Sequence, residues 1–95
     1  MGKDFTVRME EINIEKVKYV IKEIMRKKLL LNKDIQDSVE LTEMGINSLQ
    51  MVELIVELEN KFEFEFDIEK LSYGILNTVD SIALYVLENA VKKKD

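Results

Sequence analysis

The chain contains no cysteine, no histidine, no proline and no tryptophan, and only three glycines in 95 residues. Without cysteine there is no disulfide framework and no protein thiolate. Without histidine the usual general base, the usual zinc ligand and the usual partner of a nucleophilic serine are missing. The shortage of proline and glycine disfavours a turn-rich β fold and suits helices. No apolar run approaches the roughly 18–20 residues of a membrane span, and the N-terminus lacks the apolar core of a signal peptide. The expectation is one soluble, cytoplasmic, monomeric domain with a single small core and no membrane partner. The opening MGKDFT fits the N-myristoylation pattern through Gly2 and Thr6, although a start methionine and a polar lead-in explain it more simply.

Charge is unevenly spread. Residues 1–33 carry nine basic and five acidic side chains, whereas residues 34–69 carry eleven acidic ones against a single base, Lys61. A block of net charge −10 repels phosphate backbones, which excludes nucleic acid as a natural partner. The block either keeps a small domain soluble or attracts a basic protein surface.

Apolar periodicity predicts an all-α fold, a four-helix bundle of three main helices and one short one. Residues 1–12 form a loose lead-in, residues 13–91 the domain and residues 92–95 a charged tail that frays. The first helix runs from Ile14 to about Lys28, capped by Asn13, with Ile14, Val17, Val20, Ile21, Ile24 and Met25 on its buried stripe. A long loop, LLLNKDIQDSVELTEM, follows, and its apolar residues Leu29, Leu30, Leu31, Ile35, Val39, Leu41 and Met44 are expected to tuck it onto the core; loops of this length in a compact domain are usually functional or disordered. The second helix runs from Ser48 to about Phe62 with Asn47 as its cap. Its core face is Met51, Leu54, Ile55, Leu58 and Phe62, while Leu49, Val52 and Val56 lie on a flank beside Glu53 and Glu57. That flank is either half-buried core or an apolar docking strip. FEFEFD at 62–67 alternates like a strand but has no partner strand, so it reads as an extended connector that drops Phe64 and Phe66 into the core. Asp67 then caps a short helix, IEKLSYG. Thr78 caps a final helix whose apolar face is Val79, Ile82, Ala83, Val86, Leu87 and Ala90.

The stretch GINSLQ, residues 45–50, stands where the loop meets the second helix. A catalytic Ser48 lacks a base, and GINSL is not the G-x-S-x-G elbow of hydrolases. No calcium-loop spacing appears and helix faces account for the carboxylates, so neither a catalytic residue nor a metal site is expected. Two roles remain for Ser48: a helix cap, or the substrate of a modifying enzyme. At a helix N-terminus an attached phosphate is favoured by the exposed N–H groups and the positive helix end.

LTEMGINSLQMVELIVELENKFEFEFD resembles the core of acyl carrier and peptidyl carrier proteins. That family places a modified serine in a G-x-D-S-L motif at the start of its second helix. Its pattern continues here as Val52-Glu53-Leu54, Leu58-Glu59 and Phe62, then the extended connector, short helix and Thr-capped last helix, over about residues 13–91. The resemblance implies a discrete carrier protein rather than an enzyme. Ser48 would receive 4′-phosphopantetheine from coenzyme A through a phosphopantetheinyl transferase, and the arm's thiol would hold acyl or aminoacyl groups as thioesters. It also implies docking on basic patches of adenylating, acyl-loading, condensing and other enzymes of polyketide, nonribosomal peptide or fatty acid biosynthesis. Met44, Ile46, Asn47, Leu49, Glu53, Val56 and Glu57 are the expected docking residues. The family usually has Asp before the serine, and many peptidyl carriers have His, where this chain has Asn47. The alternative is a helical interaction module of the same fold that is not phosphopantetheinylated.

Overall fold

The computed structural model describes residues 12–31, 34–67, 69 and 76–94, the last four of these by backbone path alone. Three α-helices make up the described bundle: α1 (Ile14–Lys27), α2 (Ser48–Phe62) and α3 (Val79–Lys94), with a 3-10 turn at Leu41–Met44 inside the long loop. No strand occurs among the described residues. The lead-in over residues 1–11 and the short helix expected over residues 68–74 lie outside them, apart from Glu69.

Each helix starts where its cap sets it. Asn13 Oδ1 accepts from the Lys16 N–H at 2.9 Å and opens α1. At α3, Thr78 Oγ1 accepts from the Ser81 N–H at 3.0 Å, and Ser81 Oγ in return accepts from the Thr78 N–H at 3.0 Å. This reciprocal cap uses serine where glutamate or glutamine is commoner. The basic last turn of α1, with Arg26 and Lys27, suits the negative helix end. α3 continues through Lys94. Lysine is a good helix former, and cations near a helix C-terminus are favoured.

The core is continuous. Val17, Ile21, Ile24 and Met25 of α1 meet Leu54, Ile55, Leu58 and Phe62 of α2 and Val79, Ile82, Ala83, Val86 and Ala90 of α3. Ile14, Val20 and Met51 pack against this cluster while remaining partly exposed, and Leu87 is half-buried. No polar or charged side chain is buried among the described residues.

After α2 the chain turns at Glu63, whose φ of 56° lies in the left-handed region that commonly ends helices. Phe64 and Phe66 then enter the core as the alternation predicts. Their rings lie 4.8 Å apart, and Phe66 stacks on Tyr85 of α3 with centroids 5.1 Å apart. The backbone of this connector is held by side chains rather than by a sheet. Glu59 Oε2 accepts from the Phe66 N–H, and the Tyr85 hydroxyl accepts from the Asp67 N–H, both at 2.9 Å. Asp67 Oδ1 accepts from the Glu69 N–H at 3.0 Å, as a residue opening a helical turn does.

The long loop tucks onto the core as its apolar residues predict, except at Leu30, which is exposed in a left-handed conformation with φ 57°. Leu29 and Leu41 are buried, and Ile35 and Val39 pack against the core. Asp37 pairs with Lys22 at 2.7 Å and Lys18 at 3.2 Å, and its carbonyl accepts from the Asp80 N–H at 3.0 Å. Lys18 also reaches Asp80 at 2.7 Å. The hydrogen bond from Lys22, then that from Lys18, holds the Asp37 carboxyl below its ordinary pKa against the opposing effect of desolvation. Hydrogen bonds to Asp80 and then Asp37 raise the Lys18 ammonium. Because the folded-state pKa of Asp37 is depressed, its stabilisation is complete above the ordinary aspartate range and is lost as pH falls through the lowered value. Asp37→Asn should therefore lower stability by roughly 0.5–1 kcal/mol at neutral pH, the upper part of the range for solvent-screened pairs. In urea melts the gap between wild type and variant should close as pH is taken to about 2; a gap that persists undiminished would assign the effect to something other than this ion pair.

Candidate functional site

The site is built at the junction of the loop and α2. Leu41 and Met44, three residues apart, fall on one side of the 3-10 turn, and both are buried. The Leu41 N–H donates to the Asn77 carbonyl at 2.9 Å, which ties this turn to the segment that leads into α3. Gly45 closes the turn at φ 98°, a left-handed conformation that costs glycine little and a side-chain-bearing residue more. The Gly45 N–H donates to Thr42 O and the Ile46 N–H to Leu41 O, each at 3.1 Å, which closes the turn on its first two carbonyls. Ile46 then returns to the core. Asn47 follows in extended backbone, and α2 begins at Ser48.

Met44 and Ile46, expected on a docking surface, are instead core residues at 5% and 3% exposure. The reason is local geometry: they flank a glycine reversal, and pointing inward they pin that reversal to the bundle. In this conformation neither offers a partner a side-chain surface. The remaining expected residues are accessible. Asn47, Ser48, Leu49, Glu53 and Val56 are exposed, and Glu57 is half-buried.

Capping falls to Asn47 and not to Ser48. Asn47 Oδ1 accepts from the Gln50 N–H at 2.8 Å, while Gln50 Oε1 accepts from the Asn47 N–H at 3.0 Å. This reciprocal box satisfies two backbone donors at the helix start. Among the described residues no side-chain hydrogen bond engages the Ser48 hydroxyl. Gln50 is thus a functional neighbour that the helical projection, which assigns it to the solvent face, does not reveal. The spacing Asn47-x-x-Gln50 is the signal that does. The first turn of α2 contains no acidic residue, so the positive end of the helix dipole is not offset there.

Along α2, Leu49, Val52 and Val56 are 67%, 56% and 46% exposed. Their spacing of three and four residues makes one apolar stripe, and its exposure decides between the two readings of this flank in favour of open surface. Glu53 borders the stripe, and among the described residues no ion pair involves it. Glu57, one turn further on, pairs with Lys28 from the end of α1 at 3.3 Å. Sequence spacing gives no hint of that contact, because the partners belong to different helices. No group of three or more carboxylates with a metal-binding arrangement is found among the described residues, and no described helix is long and apolar enough to cross a membrane.

A covalent phosphodiester needs a hydroxyl that is exposed, free of structural hydrogen bonds and placed where nearby N–H groups favour negative charge. Ser48 meets these conditions, so the residues present fit a phosphate-linked group. Comparison with known families matches residues 20–86 to the one described as phosphopantetheine attachment site. No curated protein matches the chain. The matched span covers more than two thirds of the sequence, from within α1 through the loop, α2 and the connector into α3. Domains of this kind carry a covalent 4′-phosphopantetheine arm, are generally non-catalytic, and work with phosphopantetheinyl transferases and biosynthetic enzymes. A helical bundle that frames an uncommitted serine at the head of α2, matched along most of its length, belongs to the phosphopantetheine attachment site family and is a carrier domain for that arm.

Proposed function

We propose that Ser48 is the attachment residue, and that the protein carries acyl or aminoacyl groups between enzymes that dock on α2. The observation that carries this reading is the division of labour at the helix start: Asn47 and Gln50 do the capping, which leaves the exposed Ser48 hydroxyl available. When bound, the arm supplies a terminal thiol that a chain without cysteine cannot supply itself. The protein's own part is positional. Buried Met44 and Ile46 fix the turn, the cap fixes the first helical residue, and the unoffset helix end favours the phosphodiester.

Leu49, Val52 and Val56 offer a partner apolar contact, while Glu53 and Glu57 offer charge. Their place within the −10 block supports a partner with a basic patch. Asn47 keeps the geometry of a cap while lacking the charge of the aspartate usual in the family. That supports a specialised polyketide or nonribosomal peptide pathway over a housekeeping fatty acid carrier.

Co-expression with a broad-specificity phosphopantetheinyl transferase, followed by intact-mass measurement, tests the attachment. The mass should rise by one phosphopantetheine group in wild type and stay unchanged in Ser48→Ala; an unmodified wild type would leave the non-phosphopantetheinylated interaction module as the better reading.

Stability separates the two roles of the junction. Ser48→Ala should leave the unfolding midpoint nearly unchanged, within about 0.5 kcal/mol. Asn47→Ala should cost about 1 kcal/mol, because it removes the cap. A larger loss from the Ser48 substitution would make that serine a structural residue.

Docking should be electrostatic in part. The KM for transferase loading should rise with ionic strength and with Glu53→Lys, and loading kinetics indifferent to both would remove α2 from the docking surface.

A further inference from the structure

The two acidic residues beside the apolar stripe of α2 are not equivalent. Glu53 is exposed, and among the described residues no cation pairs with it. Glu57 already has a cation, because Lys28 Nζ lies 3.3 Å from its Oε2. The placement of Lys28 is built into the fold. Lys28 is the C-cap of α1, its N–H donates to Ile24 O at 2.8 Å, and the next residue, Leu29, is buried. The neighbouring Lys27 is directed back along α1 to Glu23 at 3.2 Å, whereas Lys28 reaches across to α2.

We propose that Lys28 is an internal competitor for Glu57, a tethered stand-in for the cation of a docking partner. The inference rests on the reading of α2 as the docking face for a basic surface. A partner's lysine or arginine that approaches Glu57 meets Lys28 already on Oε2, and must displace it or share the carboxylate with it. The lock is weak enough to open: the Lys28 side chain is 63% exposed, and solvent-exposed pairs contribute little. It still has two effects. It lowers the effective negative charge of the second docking carboxylate, and it places a like charge in front of an incoming basic surface. Contact is therefore biased, with Glu53 open to a partner and Glu57 engaged in competition with Lys28. A partner with one cation opposite Glu53 and another opposite Glu57 gains more than a partner with a diffuse positive surface. Lys28 is in this sense a specificity-determining residue that touches neither Ser48 nor the arm.

A double-mutant cycle on transferase loading tests this. The KM for the unmodified protein is measured for wild type, Lys28→Met, Glu57→Gln and the double variant, at low and at high ionic strength. Lys28→Met should lower KM about two- to fivefold at low ionic strength, the scale set by an exposed ion pair, with kcat unchanged. The gain should vanish at high salt, and it should be clearly smaller when Glu57 is already Gln, where only the background charge of Lys28 is removed. An equal gain in both backgrounds would make Lys28 a background charge and overturn the proposal. So would no gain, or a rise in KM, which would make Lys28 itself a contact for the partner. If the wild type does not load at all, the attachment reading fails. The same four proteins titrated with an oligolysine peptide then decide the present proposal on the same criterion, the dependence of the Lys28 effect on Glu57.

Discussion

The burial of Met44 and Ile46 on either side of a left-handed Gly45 determines what the start of α2 presents to solvent. With Met44 and Ile46 buried on either side of the reversal, Gly45 and Asn47 are left exposed. Slipping the chain by one residue would aim Asn47 at an apolar core that contains no polar side chain among the described residues. An unpartnered amide there costs about 1–3 kcal/mol. The glycine allows the reversal, and the apolar pair fixes its register. The cap and the serine follow from that placement, so the exposure of Ser48 is a consequence of core packing rather than of the serine's own preferences.

The acidic block divides into carboxylates that hold the fold and carboxylates that face outward. Asp37 ties the loop to α1 through Lys18 and Lys22, Glu59 accepts a connector N–H, and Asp67 accepts from Glu69. Glu53 does none of these things, and among the described residues Glu57 is paired with Lys28. Net charge therefore overstates the negative surface open to a partner. On α2 the outward carboxylates Glu53 and Glu57 stand beside apolar side chains that the core leaves unburied. Such a combination offers long-range attraction from the charge and short-range contact from the stripe.

The helices were legible because their signals are local. Asn13, Asn47 and Thr78 mark the three starts, and the buried positions of α1, α2 and α3 recur at helical spacing. The connector was legible because Phe64 and Phe66 alternate without a partner strand. The 3-10 turn was harder to read, since four residues give only one repeat of its period. Its trace in the sequence is the apolar pair Leu41 and Met44 closed by Gly45. The burial of Met44 follows the apolar pattern of the loop, whereas that of Ile46 was missed because its place beside the helix start suggested surface. Lys28 with Glu57, and Asp37 with Lys18 and Lys22, join residues far apart in the chain, and a single sequence contains no periodicity that could report such meetings.

The connector after α2 has one more consequence. Its two central amides are held from opposite sides: Glu59 of α2 accepts from Phe66, and Tyr85 of α3 accepts from Asp67, while the Tyr85 ring stacks on Phe66. This makes the segment a cross-brace rather than a spacer. A roll of α2 about its own axis would carry Glu59 away from the Phe66 amide, and a slide of α3 would unstack Tyr85 and release the Asp67 amide. Torque applied at one end of α2 by a bound enzyme would thus reach α3 through the brace, and the bundle would answer as a single stiff body.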